Sequence, residues 1–167
     1  SNDGYTTASA TFEGEVALNR FGDSALIMDL DQDGTGDIIF GAPRNGGSLG
    51  TAGAVYAFLD GTSWTGSNSG LNADTIMKGD AVSQLAGTTL AALDIDQDGF
   101  EELAIGGPGA STGAPGGGAV WIVATPPTTF NYSLSNADYR LDGAIPAAET
   151  GSAIAAMDDM QGDGLGD

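Results

Sequence analysis

Cysteine and histidine are both absent from the 167-residue sequence. Without cysteine the chain cannot form disulfides or thiolate zinc sites. Without histidine it lacks the commonest general base and the commonest transition-metal ligand. Catalytic arrangements of the Ser-His-Asp or Cys-His kind are therefore excluded, and we expect no catalytic residues and no enzymatic activity in this chain.

Basic residues are scarce, with four Lys and Arg against 23 Asp and Glu, which gives a formal net charge of −19. Nucleic-acid binding needs a basic face, and the four basic residues are far apart in the sequence, so nucleic acid is excluded as a partner. Long apolar runs are missing too. A membrane-spanning helix needs roughly 18 or more consecutive apolar residues, so we expect no membrane span.

Glycine, by contrast, is abundant at 28 residues and follows no three-residue period. This content is typical of many tight turns between short strands and excludes collagen. The apolar runs are short and rich in Val, Ile, Leu, Tyr and Phe, and Gly, Asn, Asp, Ser and Pro separate them. Because no helical period persists over ten residues, the chain is predicted to be all-β.

The sequence repeats itself with a period of 65 residues. The hexapeptide DLDQDG at 29–34 returns as DIDQDG at 94–99, and GAP at 41–43 returns as GGP at 106–108. A third, incomplete copy begins near Gly151. Repeats of this length with four short antiparallel strands each predict the blades of a β-propeller, here about two and a half repeats of a partial propeller or incomplete ring.

The period also divides the chain. Residues 1–20 are predicted to end a preceding blade, residues 21–85 and 86–149 to form two repeats, and residues 150–167 to begin a truncated third. The predicted strands are 24–28, 37–40, 54–59 and 74–78 in the first repeat, their counterparts 89–93, 102–105, 119–124 and 138–141 in the second, and 8–12 before them.

More than half of the 23 acidic residues lie in three short segments. Crowded carboxylates repel one another unless a cation lies among them. In the segment 29–37 acids occupy positions 1, 3, 5 and 9, and Gly34 at position 6 permits a sharp turn. Calcium takes about six to eight oxygen ligands, whereas magnesium keeps several waters, so the spacing favours calcium. Two alternatives to a calcium site stay open: a solvated Asp-Gly turn without metal, and acidity suited to a salty habitat.

The candidate ligands follow from this register, with backbone carbonyls at position 7. Position 12 falls inside a strand, so the loop is not an EF-hand. Glu101, at position 8 of the second loop, is predicted to point away from the ion. The predicted Ca²⁺ ligands are Asp29, Asp31, Asp33, Thr35 and Asp37 in the first loop, Asp94, Asp96, Asp98, Phe100 and Glu102 in the second, and Asp159, Gln161, Asp163, Leu165 and Asp167 in a possible third that needs one inserted residue.

Phe21-Gly22, the Asp-x-Asp-x-Asp-Gly loop and Gly41-Ala42-Pro43 together resemble the FG-GAP repeat of integrin α-chain propellers and of many bacterial surface and secreted proteins. The resemblance covers nearly the whole chain, although the second copy has Ala86-Gly87 and the third Thr150-Gly151 in place of Phe-Gly. It implies calcium in the loop between the first two strands of each blade. It also implies an extracellular or cell-surface adhesion module that binds a protein or glycan through the loops opposite the calcium.

Two further interpretations stay open. The chain could be a structural repeat unit of an extracellular fibre or surface layer, or a non-catalytic propeller attached to a secreted hydrolase or lyase. Because propellers usually close with about 4–8 blades, we also expect a longer polypeptide, self-association or a partner strand to complete the sheets.

Overall fold

The computed structural model of the protein describes residues 10–46, 50–59, 64–124, 127 and 129–157. Those residues contain eleven β-strands and two short 3₁₀ turns, and no α-helix, so the all-β prediction is confirmed. The predicted third acidic loop at 159–167, and residues 8 and 9 of the first predicted strand, lie outside the described residues. The strands are β1 (Ala10–Glu13), β2 (Ser24–Met28), β3 (Asp37–Ala42), β4 (Ala54–Phe58), β5 (Gly66–Ser69), β6 (Thr75–Lys78), β7 (Thr89–Leu93), β8 (Glu102–Gly107), β9 (Ala119–Val123), β10 (Asn131–Ser133) and β11 (Tyr139–Asp142).

Two antiparallel blades of four strands form the framework. The first has the order β6-β4-β3-β2 and the second the order β11-β9-β8-β7. Their registers repeat along the chain: Ile39 lies opposite Ala57 in the first blade, and Ala104 opposite Ile122 in the second. Four antiparallel strands per repeat therefore occur as predicted. The first and last residues of these strands lie within two positions of the predicted ones.

The main core lies between the two blades. It includes Val55 and Met77 from the first blade and Leu103, Ile105 and Trp121 from the second, all buried. β4 and β8 are interior strands of their sheets, and both are buried along their whole length. This burial agrees with their sequences, which are unbroken apolar runs in β4 and, after Glu102, in β8.

A second cluster of aromatic residues covers the other face of the first blade. Phe12, Phe21, Phe40 and Phe58 pack with Tyr56 and Trp64, and their ring centroids are 4.9–6.2 Å apart. Phe21 of the Phe-Gly pair thus has a packing role, in contact with Phe40 and Tyr56.

The two halves of the repeat motif meet at the junction between blades. The Gly87 carbonyl accepts a hydrogen bond from Ser24 Oγ at 2.8 Å, and a β-carbon added to Gly41 would lie 2.0 Å from that carbonyl oxygen. Gly106 stands in the same relation to Gly151. Glycine at the start of the Gly-x-Pro motif is therefore required because the backbone of the following repeat approaches so closely.

Candidate metal centres

Each acidic loop joins the first two strands of a blade, β2 to β3 and β7 to β8. Both loops wind in the same way. Gln32 and Gln97 have φ of 63° and 60°, and Gly34 and Gly99 have φ of 91° and 90°. Two left-handed residues within three positions reverse the chain sharply, so the preceding and following carboxylates turn toward one another.

In the first loop the carboxylates of Asp29, Asp31 and Asp33 converge. One oxygen from each lies within 4.8 Å of the others. Backbone amides hold this arrangement: the Asp33 N–H donates to Asp29 at 3.0 Å and to Asp31 at 3.2 Å, and the Gly34 N–H donates to Asp29 at 2.9 Å. The loop is therefore organised by its own backbone around three acidic groups.

In the second loop the converging carboxylates are those of Asp94, Asp96 and Glu102, again within 4.8 Å of one another. The Asp98 N–H donates to Asp96 at 3.2 Å, and the Gly99 N–H donates to Asp94 at 3.2 Å. The other oxygen of Asp94, Oδ1, is buried and has no hydrogen-bond partner within the described part of the chain. A buried carboxylate oxygen without a partner is costly, and a bound cation would satisfy it.

The acid at position 9 lies beneath each loop at the start of the second strand. Asp37 is fully buried and Glu102 is 5% exposed. Asp37 Oδ2 accepts the Leu30 N–H at 2.8 Å, and Glu102 Oε2 accepts the Ile95 N–H at 2.7 Å. These bonds tie each loop to its strand.

The environment of Glu102 disfavours its charged form. Burial is the main cause that raises the pKa of Glu102, and the Ile95 N–H opposes it by stabilising the carboxylate. The nearby negative charges of Asp96, Asp94 and Asp98 raise the pKa further. A cation among these groups would reverse that balance, because it favours every ionised carboxylate near it.

The remaining predicted residues take different places. Asp33 and Asp98 each accept a bond from the residue at position 7: the Thr35 N–H donates to Asp33 at 2.7 Å, and the Phe100 N–H to Asp98 at 2.9 Å. Asp37 and Asp98 are not members of the two groups of three converging carboxylates. Glu101 is exposed and is not a member either.

Sequence reasoning missed two supports of these loops. The first is the pair of amides at Leu30 and Ile95, which anchor the buried acids. The second is the left-handed glutamine at position 4, Gln32 or Gln97, for which the only available signal was the same residue at the same place in both copies.

No helix in the described portion of the chain has the length and apolar character needed to cross a membrane.

Comparison with known proteins agrees with this architecture. Residues 86–123 match the family model of the FG-GAP repeat. The chain is 34% identical over 103 residues to integrin alpha-5 of Xenopus laevis, which covers 58% of the chain and 9% of that protein. It is 33% identical over 140 residues to integrin alpha-7 of Homo sapiens, covering 73% of the chain and 11% of that protein.

A relative of another kind also matches. Phosphatidylinositol-glycan-specific phospholipase D of Mus musculus is 33% identical over 117 residues, which covers 65% of the chain and 13% of that protein. The chain thus spans only 9% to 13% of the length of these three relatives. The resemblance seen in the sequence is confirmed: the chain carries an FG-GAP repeat, and its sheets are blades of the β-propeller type.

Proposed function

We propose that this chain is a calcium-binding module that acts in adhesion or ligand binding outside the cell. Calcium at the β2–β3 and β7–β8 loops would fix the turns that connect the strands. The observation that carries this proposal is the buried Asp94 Oδ1, which lacks a hydrogen-bond partner in the described residues and belongs to a group of three converging carboxylates.

Repulsion within the loops supports a cation there. Two like charges about 4 Å apart repel by roughly 1 kcal/mol in bulk water and roughly 4 kcal/mol at the effective dielectric near a protein surface. The basic side chains lie elsewhere: Arg20 pairs with Asp23, Arg140 pairs with Asp142, Lys78 donates to Asn131, and Arg44 lines the cavity at the opposite strand ends. A divalent cation is therefore the group best able to neutralise these clusters.

The donor set suits calcium. It consists of carboxylate and carbonyl oxygens only, at Asp29, Asp31, Asp33, Thr35 and Asp37 in the first loop. The second loop offers Asp94, Asp96, Asp98, Phe100 and Glu102. Hard oxygen ligands in this number favour calcium over transition metals and over magnesium, which retains its waters. The set at 159–167 is proposed as a third site of lower charge.

The ends of the strands opposite these loops supply the surface proposed for ligand binding. There residues 14–23 meet the described parts of the next connection, 43–46 and 50–53, and form a cavity of about 250 Å³ whose lining includes Val16, Leu18, Asn19 and Arg44. Leu18 is 88% exposed, and the buried Nδ2 of Asn19 has no hydrogen-bond partner in the described residues. An exposed apolar side chain beside a cation is suited to a protein or glycan partner.

The relatives support this class without fixing the partner. Two of those compared are integrin alpha chains, which favours adhesion. The match to a phospholipase D supports the alternative of a non-catalytic propeller joined to a hydrolase. A structural role in a fibre or surface layer is the third candidate. Binding to a glycan or protein array would support the adhesion role, whereas filaments that grow with protein concentration would support the structural role.

The metal proposal is tested by isothermal titration of chelator-stripped protein with calcium chloride, with magnesium chloride as the matched control. We expect at least two calcium equivalents and much weaker binding of magnesium. A stoichiometry below two would contradict the proposal, and a stoichiometry of three would extend it to the third loop.

A further inference from the structure

Besides the antiparallel blades, the structure contains two parallel strand pairs that join one blade to the next. β5 pairs with β1, with Ala10 opposite Gly66, and β10 pairs with β6, with Asn131 opposite Ile76. The 65-residue period places β1 in the position of β6, as the last strand of a blade. In both cases, then, the last strand of one blade receives a short strand from the middle of the following repeat. We call β5 and β10 the linking strands.

The linking strands share a local design. Each is short and rich in Ser or Asn, and a 3₁₀ turn follows at once, Gly70–Asn72 or Leu134–Asn136. The Ser at the start of each turn caps it: Ser69 Oγ accepts the Leu71 N–H and Ser133 Oγ accepts the Ser135 N–H. Leu134 of the second turn is buried in the main core. The linking strand and its turn therefore act as one docking unit.

Docking of a linking strand closes the edge of the blade that receives it. The Ile76 N–H of β6 points out of its own blade and donates to the Phe130 carbonyl at 2.7 Å. Lys78 Nζ adds a bond to Asn131 Oδ1 at 2.8 Å. With β10 on its edge and the second blade on its face, β6 has three buried residues out of four.

β11, like β1 and β6, is the last strand of a blade. Unlike them, it has no linking strand on its outer edge in the described residues. Within the described residues it lies at the edge of its sheet, paired to β9 alone. Tyr139 and Leu141, on one face of the strand, are 61% and 53% exposed, whereas their counterparts Thr75 and Met77 are buried. Arg140 lies opposite Trp121 as Ile76 lies opposite Tyr56, so its N–H occupies the position that donates to the linking strand.

We propose that the outer edge of β11 binds, in parallel, the linking strand of a further repeat of this same kind. The blade of that further repeat would lie on the face of Tyr139 and Leu141 and bury both side chains. The β11-β9-β8-β7 blade buries Met77 of the first blade in the same way. Charges at the edge of a strand discourage unspecific pairing. Arg140 is held over the Trp121 ring at 5.1 Å and paired with Asp142 at 3.0 Å, which keeps both charges beside the strand.

The test uses a synthetic peptide with the sequence of residues 128–138, titrated into the isotope-labelled, calcium-loaded chain. We expect chemical-shift changes and slower amide exchange confined to β11, with the Arg140 amide among them. In a parallel ladder a residue bonds to the two neighbours of its partner. Since Ile76 donates to the Phe130 carbonyl, the next amide that faces the receiving strand is that of Tyr132.

Two methylated peptides make the matched pair. N-methylation at Tyr132 should weaken binding at least tenfold, whereas N-methylation at Asn131, whose N–H faces away, should leave binding within threefold. On the protein, Arg140→Pro should abolish binding because proline removes the outward N–H yet is tolerated on an edge strand. Arg140→Ala keeps that N–H and should bind as the unaltered chain does.

Three outcomes would overturn the inference: no change in β11 at millimolar peptide, equal affinity of the two methylated peptides, or chain self-association through β11 without peptide, which would make a second copy the occupant. The calcium stoichiometry, measured separately on the same preparations, keeps this result independent of the metal proposal.

Discussion

The two acidic loops differ in only four of nine residues, yet they present different groups. The first gathers three aspartates from the loop itself, whereas the second gathers two aspartates and the buried glutamate beneath them. Glu102 is one methylene longer than Asp37, which brings its carboxylate up into the cluster. In the first loop both oxygens of Asp29 accept backbone amides, whereas in the second Asp94 keeps one buried oxygen without a partner in the described part. Of the four differences, the longer acid at position 9 is the one that enters the group of converging carboxylates.

The largest expected effect is the response to chelation, which removes the ion from both loops. For a Kd of about 10⁻⁴ M and about 2 mM calcium, each site adds roughly 1.8 kcal/mol to the free energy of unfolding, so two sites add roughly 3.6 kcal/mol. The melting temperature should fall by about 7–14 °C in chelator, measured by circular dichroism. Magnesium at the same concentration should not restore it. A shift below about 3 °C would mean that the acidity serves solubility or a salty habitat instead.

Removal of one carboxylate from a single loop should have an effect about half as large, and it tests the two loops individually. Asp31→Asn and Asp96→Asn each replace one carboxylate at the same position of the two loops. Each variant should lose one calcium equivalent in titration and roughly 1.8 kcal/mol of the calcium-dependent stability. Glu101→Ala is the control: it removes an exposed acid next to the second loop and should leave the calcium affinity within about threefold. If Glu101→Ala weakens binding as much as Asp96→Asn, the assumed ligand register is wrong.

The order of the strands and the acidic groups could be predicted from the sequence because both depend on local patterns. Strands such as β4 and β9 are unbroken apolar runs that each follow a glycine, and Asp94, Asp96 and Asp98 alternate by position. The linking strands could not be predicted. Asn131–Ser133 is short, polar and of low strand propensity, and it is extended only because the edge of β6 offers hydrogen-bonding partners. Likewise, only the fold shows that the Asp94 oxygen is buried.

Exchanging the acids at position 9 would test whether that methylene causes the difference between the loops. Glu102→Asp should withdraw the carboxylate from the second cluster and lower its calcium affinity, by about tenfold if a charged ligand is lost entirely (~1.4 kcal/mol). Asp37→Glu should move the buried acid toward Asp29, Asp31 and Asp33. Site-resolved calcium titration followed by the Gly34 and Gly99 amide signals distinguishes the two loops. Equal affinities in the unaltered chain and in both variants would show that the acid at position 9 is not a ligand.

The smallest expected effect is a pH dependence of the free energy of unfolding, caused by Glu102 in the metal-free chain. Burial and the neighbouring aspartates raise the pKa of Glu102 above its ordinary range. Well below that range Glu102 is protonated in both the folded and the unfolded chain and contributes nothing. As the pH rises from the ordinary glutamate pKa through the raised one, the unfolded chain ionises first, so the free energy of unfolding falls.

Glu102→Gln removes this titration while keeping an oxygen for the Ile95 amide. In chelator, urea unfolding should therefore show that the variant gains stability over the unaltered chain as the pH rises, with the difference levelling off once Glu102 is ionised in both states. With calcium present the sign should reverse, because the ion stabilises the charged carboxylate and the variant has lost a ligand. A variant that follows the unaltered chain at every pH, with and without calcium, would show that Glu102 neither titrates with a raised pKa nor binds the ion.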